Sequence, residues 1–286
     1  MDHELKYVTA NGIRFAYFEV GDGPLVLCLH GFPDTAHSFD LLLPKLAAGG
    51  YRAVAPFMRG YSPSGLAPDG DYSPLALGRD VAALIEALGA ENADVVGHDW
   101  GAYAAYCSAN MTPARIRRLV MMSIPHIGGA ANSFRQFLCS WYVMFFQLPS
   151  LPERRVRRDD FAFIDRLYRR WSPNWSPAAY DLRPVKAALA APGGLQAALG
   201  YYRAMFRNST RQAWQVLSTK TQAPTLLITG ETDGCVGPEV FARIHDAFTG
   251  PFEFRLLPSL GHFPHREAAD DVGETIVGFL RGGHEK

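Results

Sequence analysis

The chain has 286 residues, 48% hydrophobic and 20% charged, with Lys plus Arg equal to Asp plus Glu. This predicts a soluble globular protein of one large domain with an insertion, or of two domains, and a charge balance that offers nothing to nucleic acid or an acidic membrane. There is no apolar run behind a basic start and none long enough to span a bilayer, and Cys28, Cys107, Cys139 and Cys235 lack metal-type spacing, so the expectation is a cytoplasmic protein with free thiols.

The elements follow in order. Lys6 to Ala10 and Ile13 to Val20 flank Asn11-Gly12, a hairpin turn. Leu25 to Leu29 is a continuous apolar run, as a strand buried on both faces requires, and Tyr51 to Ala55 and Ala93 to Val96 read as strands in the same way. Pro74 to Leu88 has helical periodicity, with Leu77, Val81, Leu84, Ile85 and Leu88 on one face and a stop at Gly89. Leu119 to Met122 is another buried strand, and the strand–helix rhythm then stops. It resumes with a strand at Thr225 to Thr229, a helix from Pro238 to Phe248, a strand from Glu253 to Leu257 and a last helix from about Glu267 to Leu280. Such alternation predicts an α/β fold with a parallel sheet and helices on both faces.

The interruption holds Trp141, Trp171, Trp175 and Trp214, four of the five tryptophans, and no clear strand. The reading is a helical cap over residues 125–222, inserted after strand six of a core formed by 1–124 and 223–286. It lies above the carboxyl ends of the strands, where open α/β sheets bind ligands. Most of its aromatic residues are expected to form its own core. The run Glu153 to Asp160, with Arg154, Arg155, Arg157 and Arg158, reads as a solvated helix face or loop.

One stretch carries chemistry. Val95-Val96-Gly97-His98-Asp99-Trp100-Gly101-Ala102 runs an apolar strand through Gly-x-Asp-x-Gly into an Ala-rich helix. Small residues on either side suit a sharp, strained strand-to-helix turn that presents Asp99 at the top of the sheet. Near the positive end of a helix, a carboxylate stays ionised and can attack carbon. The product is an ester, and water must break it with help from a base. His262 lies in a loop behind Gly261, after the last strand, and Asp233 follows the strand at Thr225 to Thr229. Asp233 would orient His262, and His262 would take a proton from water, titrating near its ordinary pKa of about 6.5 or somewhat above. His262 and His265 alone lack a third ligand, so no metal is expected.

The sequence resembles the α/β-hydrolase fold along nearly its whole length, and within it the epoxide hydrolase branch. Gly97-His98-Asp99-Trp100-Gly101 matches the family's nucleophile motif, and His30-Gly31-Phe32-Pro33 is similar to its H-G-x-P loop. The resemblance implies a mostly parallel eight-stranded sheet flanked by helices, the nucleophile–acid–histidine order Asp99, Asp233, His262, an oxyanion hole from the N–H groups of Phe32 and Trp100, and a cis Phe32-Pro33 bond. Arg59-Gly60-Tyr61-Ser62 matches a loop of the same branch, with a structural role. Tyr142-Val143-Met144-Phe145-Phe146-Gln147 and Gly200-Tyr201-Tyr202-Arg203 resemble the cap segments that carry two ring-opening tyrosines. The second motif picks Tyr202 over Tyr201, which spacing alone does not. Substrate contacts are implied for Phe32, Pro33, Trp100, Trp141 and Phe146. The implied partners are a small apolar epoxide and water, with no cofactor, metal, nucleic acid or membrane; a homodimer is compatible. The implied function is thus epoxide hydrolysis through an aspartyl ester. The alternatives are a haloalkane dehalogenase, many of which place Asn where Phe32 stands, and a non-catalytic ligand-binding protein, for which a water-activating base has no use. Fluoroacetate dehalogenases carry Arg where Trp100 stands, and no Gly-x-Ser-x-Gly supports a serine esterase.

Overall fold

Asn11 and Gly12, both at positive φ, reverse the chain so that β1 (Lys6–Ala10) and β2 (Ile13–Val20) pair antiparallel. This is a computed structural model, and it describes residues 3–131, 133–207 and 210–282. β3 (Leu25–Leu29) is buried at every residue. α1 (Leu42–Ala48) leads to β4 (Arg52–Pro56), and α2 (Pro74–Ala87) to β5 (Ala93–His98). Ser73 caps α2, its hydroxyl accepting from the Ala76 N–H. α3 (Trp100–Met111) and β6 (Ile116–Met122) complete the first half.

Six helices separate β6 from the next strand: α4 (Phe134–Cys139), α5 (Trp141–Phe145), α6 (Leu151–Trp171), α7 (Ala179–Ala190), α8 (Gly194–Ala204) and α9 (Thr210–Ser218). α6 is broken at Arg158–Phe161, where Asp159, Asp160 and Phe161 take positive φ. The chain then enters β7 (Thr225–Gly230) and β8 (Phe252–Leu257), and ends in α10 (Pro264–Glu267) and α11 (Ala269–Leu280).

The eight strands form one sheet in the order β1-β2-β4-β3-β5-β6-β7-β8. β2 pairs antiparallel with β1 and β4, and every other pairing is parallel. α2 packs on α3 and α1 on α11. β3, β5 and β7 are wholly buried, in keeping with their largely apolar sequences. The four cysteines are unpaired.

Three boundaries depart from the sequence reading. α1 is too short to declare itself by periodicity. The helix expected at Pro238 to Phe248 is two single turns, Pro238–Phe241 and Ile244–Ala247, parted near Arg243 at φ −118°. Phe248 is drawn out of helical geometry by a bridge to Thr221. The last helix is split at Ala268, at φ −135°.

Candidate active site

The parallel strands deliver their following residues to one edge of the sheet. Phe32 comes from beyond β3, Asp99 from β5, Ser123 from β6, Asp233 from β7 and His262 from β8. This is the edge at which open α/β sheets build sites.

Asp99 sits at φ 51° and ψ −118°, outside the regions comfortable for a side-chain-bearing residue. The glycines around it are there for want of space. A Cβ on Gly97 would come within 2.7 Å of the Gly101 carbonyl, and one on Gly101 within 2.0 Å of the Leu29 carbonyl. A Cβ on Gly31 would strike Asp99 Oδ1 at 2.2 Å. The carboxylate is held between two groups. Oδ1 accepts the Phe32 N–H at 2.7 Å, and Oδ2 lies 3.8 Å from His262 Nε2. The Phe32-Pro33 bond is cis, as is Ser62-Pro63. Burial works against the Asp99 charge, but His262, His98 and the Phe32 N–H outweigh it, so the carboxyl is held below the ordinary aspartate range.

His262 Nδ1 donates to Asp233 Oδ2 at 2.8 Å, while Asp233 Oδ1 accepts the N–H groups of Cys235 and Val236 at 2.7 and 2.9 Å. With Asp233 on Nδ1, the free Nε2 is aimed at Asp99. Burial opposes a charge on His262, yet Asp233 and Asp99 together raise its pKa to about 10. The rise goes beyond the modest one expected from Asp233, because Asp99 supplies a second carboxylate on the other side of a buried imidazole.

The main chain of His262 is fixed by residues to which the motifs assigned no such part. Its N–H meets the Trp171 carbonyl at 3.1 Å and Ser172 Oγ at 2.9 Å. Its carbonyl accepts from His98 Nε2 and Ser123 Oγ, both at 2.8 Å. Glu267 ties the loop together, accepting from Gly261 N, Phe263 N and Ser172 Oγ at 2.7, 2.9 and 2.6 Å. The sequence carries no signal for the contacts through Trp171 and Ser172, since they depend on where α6 ends against the loop.

Tyr202 stands at the centre of an aromatic box. Its ring meets Phe32, Trp100, Phe146 and Tyr142 edge-on, with centroids 5.1 to 5.7 Å away. Its buried hydroxyl makes no close, well-aligned hydrogen bond, the Trp100 side chain offering it only a loose donor. The Tyr142 hydroxyl lies 3.3 Å from Cys235 Sγ. Burial and the Asp99 charge push both phenols well above their ordinary pKa, so both are protonated at neutral pH. Tyr201 faces elsewhere, donating to the Arg59 carbonyl at 2.7 Å and stacking on Tyr72. Pro33 is buried, its carbonyl accepting from Tyr168 at 2.8 Å. Trp141 is apart from the box, 40% exposed and lining an outer groove. Its sequence position beside Tyr142 does not carry inward, because neighbours on a helix point about 100° apart.

Donor atoms of Asp233, Cys235 and His262 lie within 4.8 Å of one another, a spacing that fits a soft cation. The Asp233 oxygens are already taken up by His262 and two backbone N–H groups. His265 turns away to Ser38 Oγ at 2.6 Å, so it forms no metal pair with His262.

This sheet, with a carboxylate on a strained turn opposite an acid–histidine pair, defines an α/β hydrolase. The α/β-hydrolase fold family profile matches residues 24–269. An epoxide hydrolase of Caballeronia sordidicola is 31% identical over 96% of this chain and 92% of its own. Epoxide hydrolase 3 of Xenopus tropicalis is 30% identical over 95% of this chain and 76% of its own. The crystal structure of epoxide hydrolase A from Mycobacterium thermoresistibile superimposes with a TM-score of 0.87 at 26% identity, covering 98% of this chain and 99% of that one. The chain belongs to the α/β-hydrolase fold family, in its epoxide hydrolase branch, and is a hydrolase.

Proposed function

We propose that this enzyme opens an apolar epoxide to a vicinal diol through an ester on Asp99. The observation that carries the proposal is the buried Tyr202 hydroxyl, which makes no close, well-aligned hydrogen bond and stands in one aromatic box with Tyr142, within the field of an ionised Asp99. A poorly paired phenol in a dry site is costly, and a substrate oxygen would satisfy it.

The steps follow from the chemistry. Asp99 Oδ2, the oxygen not bonded to Phe32, attacks an epoxide carbon as the C–O bond to the ring oxygen breaks. Tyr142 and Tyr202 bond that oxygen as charge develops on it. The proton it finally keeps originates on His262, which is charged in the free enzyme with a pKa of about 10. Ester formation cancels the Asp99 charge, one of the two anions that stabilise the imidazolium, so the histidine that gave a proton is then a base. Neutral His262, oriented by Asp233, takes a proton from water, and the hydroxide attacks the ester carbonyl. The developing oxyanion receives the Phe32 N–H and, in this reading, that of Trp100. Collapse releases the diol and restores the charged pair, so water and epoxide are the only reactants consumed.

The helices of residues 125–222 serve as the cap that supplies both tyrosines and excludes water. Phe32, Trp100 and Phe146 contact the substrate in this scheme, with Pro33 supporting the loop. The test is to assay the protein and its Asp99→Ala variant against a panel of aryl and alkyl epoxides and haloalkanes, scoring diol and halide. Diol formation by the wild type alone supports the reading. Halide release without diol overturns it.

A further inference from the structure

The helical insertion has an outward face that the reaction does not use. Phe134, Phe137 and Leu138 of α4 are 78%, 69% and 52% exposed. Met144 and Leu148 follow at 58% and 45%. Trp141 and Leu151, which open α5 and α6, are exposed as well, so exposed apolar side chains run across α4, α5 and the start of α6. The opposite side of α4 is anchored: Gln136 bonds the Cys235 carbonyl and the Gly237 N–H, and Ser133 bonds Glu239. The apolar face is therefore turned out by the docking of the helix.

Trp141 and Leu151 continue this face into a groove of about 490 Å³, which Arg155, Arg166 and Arg170 line. α6 carries seven arginines against four carboxylates. The carboxylates are already paired: Glu153 with Arg203, Asp160 and Asp165 with Lys186, and Asp159 with Arg158. The three groove arginines are exposed and form no ion pair among the described residues. The zero net charge of the chain thus conceals a local cationic excess beside these exposed apolar side chains. The whole-chain balance read from the sequence does not describe this face.

We propose that this face docks on an anionic lipid surface, with the apolar side chains of α4 and α5 entering the interface and the three arginines meeting headgroups. Aromatic and aliphatic side chains next to guanidinium groups are the composition that partitions there. A second copy of the chain fits less well, because a two-fold contact through this face would oppose arginine to arginine.

The test is flotation of the full chain with vesicles of phosphatidylcholine alone or mixed with phosphatidylglycerol. The wild type is expected to float with the mixed vesicles and to be released by salt. Arg155→Glu with Arg166→Glu and Arg170→Glu should weaken binding by on the order of 100-fold or more, at about fivefold per arginine. Phe137→Ser with Leu138→Ser should weaken it as well. All five residues are exposed, so unchanged turnover of a soluble substrate would certify the fold of each variant. Failure to float with mixed vesicles, or equal flotation with pure phosphatidylcholine, would overturn the proposal. So would a dimer on gel filtration that Phe137→Ser with Leu138→Ser splits, which assigns the face to a second copy. Binding is measured without substrate, so its failure leaves the hydrolase reading untouched.

Discussion

Tyr201 and Tyr202 adjoin on α8, and one residue decides which can reach a substrate. The Tyr201 hydroxyl is engaged by the Arg59 carbonyl, whereas that of Tyr202 makes no close, well-aligned hydrogen bond. A hydrogen bond to an oxygen that becomes charged contributes about 1.5–3 kcal/mol, or roughly 10- to 150-fold in rate. Tyr142→Phe and Tyr202→Phe should each slow epoxide turnover by that range, and the double variant should lose nearly all of it. Tyr201→Phe should keep its turnover; if it is crippled while Tyr202→Phe is normal, the assignment is one residue out. His262 sets the pH dependence. Asp99 is held below the usual carboxylate range, so ester formation in a single turnover should persist well into the acid. It should fall on the alkaline side as pH rises through about 10, where His262 loses the proton it must supply. An acid limb centred near the ordinary histidine value of about 6.5 in that first step would contradict the charged resting pair. The motif selected Tyr202 over Tyr201; no motif contains the histidine's raised pKa, which arises from two carboxylates distant in sequence.

At the scale of elements, two anchors hold the site in place. Arg59 makes paired bonds to both oxygens of Asp80 on α2, Nε at 2.5 Å and Nη2 at 2.6 Å, with both side chains nearly buried. That gives the Arg59-Gly60-Tyr61-Ser62 loop the structural role its sequence suggested. Asp80→Ala would strand a buried guanidinium and should cost about 3–5 kcal/mol in denaturant unfolding; a loss under about 1 kcal/mol would mean the pair is solvated. Glu267 is the second anchor. Glu267→Gln turns an acceptor of three hydrogen bonds into a poorer one and should lower stability by about 1.5–3 kcal/mol. Turnover should fall through slower ester hydrolysis, since the loop it steadies carries His262. Unchanged hydrolysis would make Glu267 a structural residue alone. β3, β5 and β7 were legible because burial on both faces leaves largely apolar runs. Glu267 was not, because its three donors come from one loop and the end of a distant helix.

The whole molecule brings these parts together through topology. Parallel strands from β3 to β8 place their carboxyl ends on one edge, so residues spread from Phe32 to His262 meet there. The alternation of strands and helices made that edge predictable, and with it the meeting of Asp99, Asp233 and His262. What escaped the sequence was the direction of side chains on the inserted helices: Trp141 turns outward while its neighbour Tyr142 is buried. The central claim is that Asp99 becomes covalently bound to substrate and that His262 releases it. The most direct measurement is mass spectrometry of the His262→Gln variant mixed with an aryl epoxide. Protein mass should rise by one substrate, located on the peptide bearing Asp99, with diol formation halted after that single event. An unmodified Asp99 peptide together with sustained turnover would contradict it.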